Sequence, residues 1–245
     1  PAQAQFTVAA NTLVQTYDGT PKSVGVAVVP SDVPYTVTYN GSTTPPVNAG
    51  SYAVQVTVND PNYVGSATAT LVIQQATAQV TIATNTLTQT YNGSPRFVGV
   101  SVVPAGLAYT VTYNGSTTQP VNAGSYAVQV TVTDPNYTGS ANATMVVQKA
   151  AAQVTITASS LTQVYTSTAR TVSVTSVPSG VSYAVTYNNN SAAPLNAGSY
   201  AVLVTVNDPN YTGSASATLL VQKAPATATT GIYVINKGQA LPSFT

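Results

Sequence analysis

Cysteine, histidine, glutamate and tryptophan are all missing from this chain, and four Lys, two Arg and five Asp are its entire stock of charged side chains. Without Cys there is no disulfide framework, and the redox compartment cannot be read from bridges. Without His or Cys, the chain lacks the groups that most often serve as general bases, nucleophiles and zinc ligands. The carboxylates, Asp18, Asp32, Asp60, Asp134 and Asp208, are scattered. These absences set the expectation that the chain is not an enzyme, with no catalytic residue, no cofactor and no bound metal.

Charged residues make up 4% of the chain, against about 25% in ordinary globular domains. With a net charge of +1 and no basic run, nothing matches the electrostatic footprint of a nucleic-acid binder. No apolar run approaches the length of about 18 residues that a membrane helix needs, so no membrane insertion is expected. Solubility must come from Ser, Thr, Asn and Gln, a composition that suggests a secreted or cell-surface repeat protein.

What the chain does have is an internal period. Asn48-Ala49-Gly50-Ser51-Tyr52 returns as Asn122-Ala123-Gly124-Ser125-Tyr126 and as Asn196-Ala197-Gly198-Ser199-Tyr200, at steps of 74 residues. The same step carries Asp60-Pro61-Asn62-Tyr63 onto Asp134-Pro135-Asn136-Tyr137 and Asp208-Pro209-Asn210-Tyr211. Repeats of this kind signal an array of similar structural units. The expected segments are 1–76, 77–150 and 151–224, followed by a linker and partial unit over 225–245.

Inside a repeat, polarity alternates with period two. Tyr52, Val54, Val56 and Val58 share one face, Tyr35, Val37 and Tyr39 a second, and Ala67, Ala69, Leu71 and Ile73 a third. Such alternation marks half-buried strands. Asp18-Gly19, Asn40-Gly41 and the Asp-Pro-Asn turn separate them. About seven short strands per repeat predict an all-β fold, with tandem immunoglobulin-like β-sandwich domains arranged as a rod.

The succession Tyr17-Asp18-Gly19-Thr20-Pro21, Val37-Thr38-Tyr39, Asn48-Ala49-Gly50-Ser51-Tyr52, Asp60-Pro61-Asn62-Tyr63 and Gly65-Ser66-Ala67 resembles the MBG domain family. The resemblance implies modules arranged in tandem in large bacterial surface proteins and adhesins. It implies no ligand. The third repeat departs from the pattern, with Tyr165-Thr166-Ser167-Thr168-Ala169 in place of the first turn, so its first hairpin is expected to be built differently.

Asp60, Asp134 and Asp208 are read as structural turn residues, their side chains accepting a backbone N–H ahead of proline. Calcium needs several more oxygens than one Asp per repeat supplies. Lys22, Arg96 and Arg170 also recur in register, and are expected either to be solvated or to pair with an Asp. Tyr39, Tyr52 and Tyr63 are expected in the core or in tyrosine-corner roles. In the partial unit, Ile232, Val234 and Leu241 have too few partners to close a core and are candidate strand donors to a neighbouring molecule.

The function expected from this pattern is a non-catalytic extracellular stalk or spacer of a cell-surface adhesin, whose partners are neighbouring domains of the same chain. One alternative is a subunit of a self-assembling filament that binds copies of itself through the C-terminal segment. Another is an adhesin module that binds glycans or host cell-surface proteins.

Overall fold

A computed structural model describes residues 1–226 and Lys237. The candidate strand donors Ile232, Val234 and Leu241 lie outside the described residues. Those described contain β-strands and three single-turn 3-10 helices, and no α-helix. They form two compact units, Pro1–Lys149 with the first two repeats and a second that opens at Ala150 with the third.

In the first repeat the strands are β1 (Ala2–Gln3), β2 (Gln5–Val8), β3 (Val14–Thr16), β4 (Val26–Val29), β5 (Tyr35–Tyr39), β6 (Gly50–Val58), β7 (Tyr63–Val64) and β8 (Ser66–Gln74). β2 and β4 pair antiparallel as a small sheet, and a four-stranded sheet runs in the order β3-β8-β6-β5. β6 is antiparallel to both its neighbours, whereas β3 joins β8 in parallel, Val14 opposite Val72 and Thr16 opposite Gln74. The repeat is thus a β-sandwich with six strands of three or more residues and two dipeptide strands. The count departs from the expected seven because residues 40–49 add no strand between β5 and β6. Pro45 and Pro46 there have no N–H to give a ladder.

The alternating faces meet in the middle. Val24, Tyr39, Val54, Val56, Leu71 and Ile73 are buried together, with Phe6, Val8, Leu13 and Val26 packed against them. No polar or charged residue is buried among those described. The Tyr39 hydroxyl, the one polar atom carried into this cluster, accepts from Val24 N–H at 3.0 Å. A buried N–H left without an acceptor costs about 1–3 kcal/mol, and the hydroxyl that serves Val24 is what Tyr rather than Phe brings to the end of β5.

Passage from one sheet to the other is stitched by side chains. After β2, the chain turns through the 3-10 helix Ala10–Thr12 and enters the larger sheet as β3. Thr12 Oγ1 donates to Ala9 O at 2.7 Å and accepts from Gly25 N–H at 2.9 Å. Gln15 Nε2 donates to Thr12 O and Ser23 O, both at 2.8 Å. The second repeat builds the same stitches with Thr86 and Gln89.

The unit that opens at Ala150 repeats the plan. Gln153–Ile156 pairs with Val174–Val177, and the larger sheet runs Thr162–Val164, Ser214–Gln222, Gly198–Val206, Tyr183–Tyr187. Val154, Tyr187, Val202, Val204, Leu219 and Val221 form its core. Ser160 takes the place of the stitching threonine, and Gln163 keeps the same two bonds.

The first hairpin of this repeat was expected to differ, yet its backbone does not. Ser167 has φ 61°, in the left-handed region occupied by Gly19 (82°) and Gly93 (80°) at the same register. A side chain there costs roughly 1–2 kcal/mol, partly offset by the roughly 0.4–1 kcal/mol by which glycine favours the unfolded chain. Ser167→Gly is therefore expected to stabilise the third repeat by about 0.5 kcal/mol, raising its melting temperature by about 2–4 °C in calorimetry. An unchanged or lower melting temperature would mean that no strain is held at Ser167.

Candidate functional site: the junction of the first two repeats

The two sequence motifs that define the period face each other in the Pro1–Lys149 unit. The Asn48-Ala49-Gly50-Ser51-Tyr52 loop of the first repeat receives the Asp134-Pro135-Asn136-Tyr137 turn of the second.

The receiving loop is shaped by its tyrosine. The Tyr52 hydroxyl donates to Asn48 O, four residues back, at 2.8 Å. To do so the ring folds over Gly50, where an added Cβ would lie 3.4 Å from the Tyr52 hydroxyl and 3.5 Å from the ring. Glycine keeps that space open, the hydroxyl pins the Asn48 carbonyl, and the Ala49 N–H is left to point outward. This bond is the tyrosine-corner role expected of Tyr52.

The incoming turn is shaped by its aspartate. Asp134 Oδ1 accepts from Asn136 N–H at 2.8 Å, and the counterpart bonds from Asn62 to Asp60 and from Asn210 to Asp208 measure 2.7 and 2.8 Å. Pinned in this way, Asn136 reaches across to the first repeat. Its Oδ1 accepts from Ala49 N–H at 2.8 Å, and its Nδ2 donates to Asn48 Oδ1 at 3.3 Å. Beside it, Tyr137 meets Tyr17 edge to face, centroids 5.4 Å apart at 78°, a geometry worth about 0.5–1.5 kcal/mol beyond the area it buries.

The linker is bound as well. Gln75 Nε2 donates to Pro135 O at 3.0 Å. Ala76–Thr77 then forms a parallel pair with Tyr137–Thr138, with Ala76 N–H donating to Asn136 O at 2.9 Å and Ala78 N–H to Thr138 O at 2.8 Å. Ala78 is buried, and at Gly139 an added Cβ would come within 2.5 Å of the Ala78 carbonyl oxygen. Linker backbone and turn lie too close together for any side chain, and residue 76, the last of the first sequence segment, is hydrogen bonded into the second repeat.

Sequence reasoning set Tyr63, and with it Tyr137, in the core or a tyrosine corner, but Tyr137 faces the neighbouring repeat instead. Asn136, Asn48 and Tyr17 were not singled out for this contact. The signal was present: these residues recur unchanged at steps of 74 in turns and loops, where packing imposes no identity.

The recurring cations behave differently from one repeat to the next. Lys22 is not solvated, its side chain keeping 12% exposure, and its Nζ lies 2.6 Å from Asp18 Oδ2. That ammonium, with bonds from Thr20, holds the Asp18 carboxyl well below the usual carboxylate range. At the register of Asp18 the other repeats have Asn92 and Thr166. There the cation is Arg96 or Arg170, whose guanidinium donates to the backbone carbonyl of Thr90 or Val164. The ion pair thus belongs to the first repeat's own hairpin, and Lys22 does not engage the Asp60 turn. Among the described residues, no three Asp, Glu, His or Cys side chains gather into a metal site.

Fold and junction together define a class: a tandem array of small β-sandwich domains, joined by a hydrogen-bonded linker where the first meets the second. Three successive stretches, residues 6–77, 78–151 and 152–225, match the MBG domain. The chain belongs to the MBG domain family.

Comparison with curated protein sequences found no match. Solved structures similar to the chain include Sidekick-1 immunoglobulin domains 1-4, at 12% identity over 91% of this chain and 76% of that one, TM-score 0.32. Drosophila N-cadherin EC1-4 is 12% identical over 92% of this chain and 73% of that one, TM-score 0.26. Surface layer protein SbsC, domains 1-6, is 14% identical over 96% of this chain and 42% of that one, TM-score 0.24.

The junction geometry makes a direct prediction. Asn136→Ala removes the acceptor of the Ala49 N–H, a bond worth about 1 kcal/mol net, so hydrogen exchange at Ala49 is expected to accelerate about fivefold. Asn62→Ala, at the same register of the first repeat, should leave that exchange unchanged. Equal rates in wild type and Asn136→Ala would mean that the bond does not hold in solution.

Proposed function

We propose that this chain is a non-catalytic, load-bearing spacer of an extracellular cell-surface protein, and that its work is to hold distance and transmit tension. The observation that carries this reading is the parallel pairing of β3 with β8. Tension pulls β3 toward the N-terminal side of the repeat and β8 toward the C-terminal side. Because the two strands run parallel, those pulls slide them along each other, and the bonds between them must fail together rather than open one by one.

The paired residues, 14–16 on 72–74, are extended by Val72 N–H to Leu13 O and Tyr17 N–H to Gln74 O, both at 2.8 Å. Thr88–Thr90 with Ser140–Gln148, and Thr162–Val164 with Ser214–Gln222, have the same parallel arrangement. The bound linker of the first junction supports the same reading, since slack there would absorb load. Membership of the MBG domain family, whose modules the sequence resemblance sets in bacterial surface proteins, supports the extracellular location.

Single-molecule stretching tests the proposal. A 74-residue repeat extends by about 3.6 Å per residue. Less its folded span, each unfolding event should therefore lengthen the chain by about 25 nm, in a sawtooth of one force peak per repeat. Smooth extension, without peaks, would remove the load-bearing role.

A further inference from the structure

The tetrapeptide Tyr-Asn-Gly-Ser occurs three times in the chain, as Tyr39-Asn40-Gly41-Ser42, Tyr91-Asn92-Gly93-Ser94 and Tyr113-Asn114-Gly115-Ser116. Asparagine followed by glycine is a labile pair, because the backbone nitrogen of a residue without a Cβ reaches the side-chain amide unhindered. All three asparagines are exposed, so neither local sequence nor access to water separates them. We propose that Asn92, and neither Asn40 nor Asn114, is a self-modification site that loses its amide as ammonia and becomes the carboxylate partner that Arg96 lacks.

Asn40 and Asn114 are locked. Each lies in the left-handed region, at φ 48° and 49°, and the glycine that follows lies there too, at 85° and 82°. The two residues form the tip of a hairpin, across which Tyr39 exchanges backbone bonds of 2.7 and 3.0 Å with Ser42, and Tyr113 does the same with Ser116. The asparagine N–H donates to Ala53 O or Ala127 O, and its Oδ1 accepts from the N–H of the same alanine, all at 2.8 Å. Attack on that amide requires pulling its oxygen off the strand and opening the hairpin tip.

Asn92 is held differently. Its φ is negative, and its Oδ1 accepts from Ser94 N–H, two residues on, at 3.0 Å. Such an Asx turn folds the side-chain carbonyl back over the Gly93 peptide. The Ser94 N–H then stabilises the negative charge that gathers on Oδ1 as the Gly93 nitrogen attacks. That nitrogen gives up its proton and bonds to Asn92 Cγ, the Cγ–Nδ2 bond breaks, and ammonia leaves with the proton. Water opens the resulting cyclic imide, giving aspartate by cleavage at Cγ and isoaspartate by cleavage at the backbone carbonyl.

The first repeat shows what a carboxylate does in this turn. Asp18, at the register of Asn92, accepts from Thr20 N–H at 2.9 Å, and its second oxygen takes the Lys22 ammonium at 2.6 Å. In the second repeat the cation is kept as Arg96, which has no carboxylate partner among the described residues. Its guanidinium donates to Thr90 O, while its buried Nε has no acceptor. Deamidation supplies the acidic half of a pair whose basic half is already in place, and it cancels the chain's net charge of +1.

Peptide mapping by mass spectrometry, on the full chain incubated in heavy-oxygen water at neutral pH, is the test, since the label marks amides hydrolysed during the incubation. In the folded chain Asn92 should convert about tenfold or more faster than Asn40 and Asn114, each of which has two strand bonds to lose at about fivefold apiece. In urea the three identical tetrapeptides should convert at one rate. Gly93→Ser, which places in this turn the residue that the third repeat carries at Ser167, should slow Asn92 severalfold. Asn92→Asp provides the product in pure form: its carboxyl should titrate below the usual carboxylate range by NMR, and adding Arg96→Gln should raise it. Equal rates at the three sites in the folded chain, or an Asn92 slower than the other two, overturns the proposal. So does a Gly93→Ser chain that converts as fast as wild type, or a carboxyl at position 92 whose titration ignores Arg96→Gln.

Discussion

Each repeat closes by laying residues 14–16 beside residues 72–74 in parallel, and the rest of the domain is arranged around that pairing. Antiparallel neighbours can be joined by a tight turn, but a parallel pair needs a longer connection. Here that connection is almost the entire domain, so the pairing cannot form until the other strands have come together. It also obliges the chain to leave the small sheet after residue 8 and enter the larger one at residue 14. Thr12 and Gln15 make the change of sheet feasible, because their side chains take up backbone groups that no strand serves at the crossing. With only two strands in the smaller sheet, these bonds do work that additional strands would do in a larger sandwich.

Much of this was legible in the sequence, and the boundary of legibility has a physical cause. The alternation of Tyr52, Val54, Val56 and Val58 with Ala53, Gln55 and Thr57 is imposed by a sheet with one face on the core, and the larger sheet follows it. Turn residues mark the ends of strands by their local backbone preferences. The junction was not legible in that way. Ala49 and Asn136 are 87 residues apart, and neither has a local pattern that tells a contact from a loop. Tyr39 and Tyr137 look alike in sequence, since an aromatic ring suits either a core or a junction. Only the position of the backbone separates a hydroxyl that caps Val24 from a ring that meets Tyr17. Of the two fates expected for Lys22, pairing with an Asp is the one observed, and its partner left no recurring signal because Asp18 gives way to Asn92 and Thr166 in the other repeats.

The near absence of charge gives the junction its character. Its contacts are amide hydrogen bonds, a backbone strand pair and an aromatic edge. Salt screens charges over roughly 8 Å at physiological ionic strength and acts weakly on contacts of this kind. Such a joint suits surroundings whose salinity varies. Its specificity comes from shape and donor-acceptor matching, which the motifs carry from repeat to repeat.

The tightness of the linker also bears on how such a gene can change. With Ala76 and Ala78 hydrogen bonded to the following repeat, and Gly139 leaving no room beneath them, one added or deleted residue would shift both sets of bonds out of register. Unequal recombination between near-identical copies avoids that fault, because it inserts or removes a full period and restores the same seam. A change in the length of the array that keeps this seam intact must therefore add or remove a whole repeat.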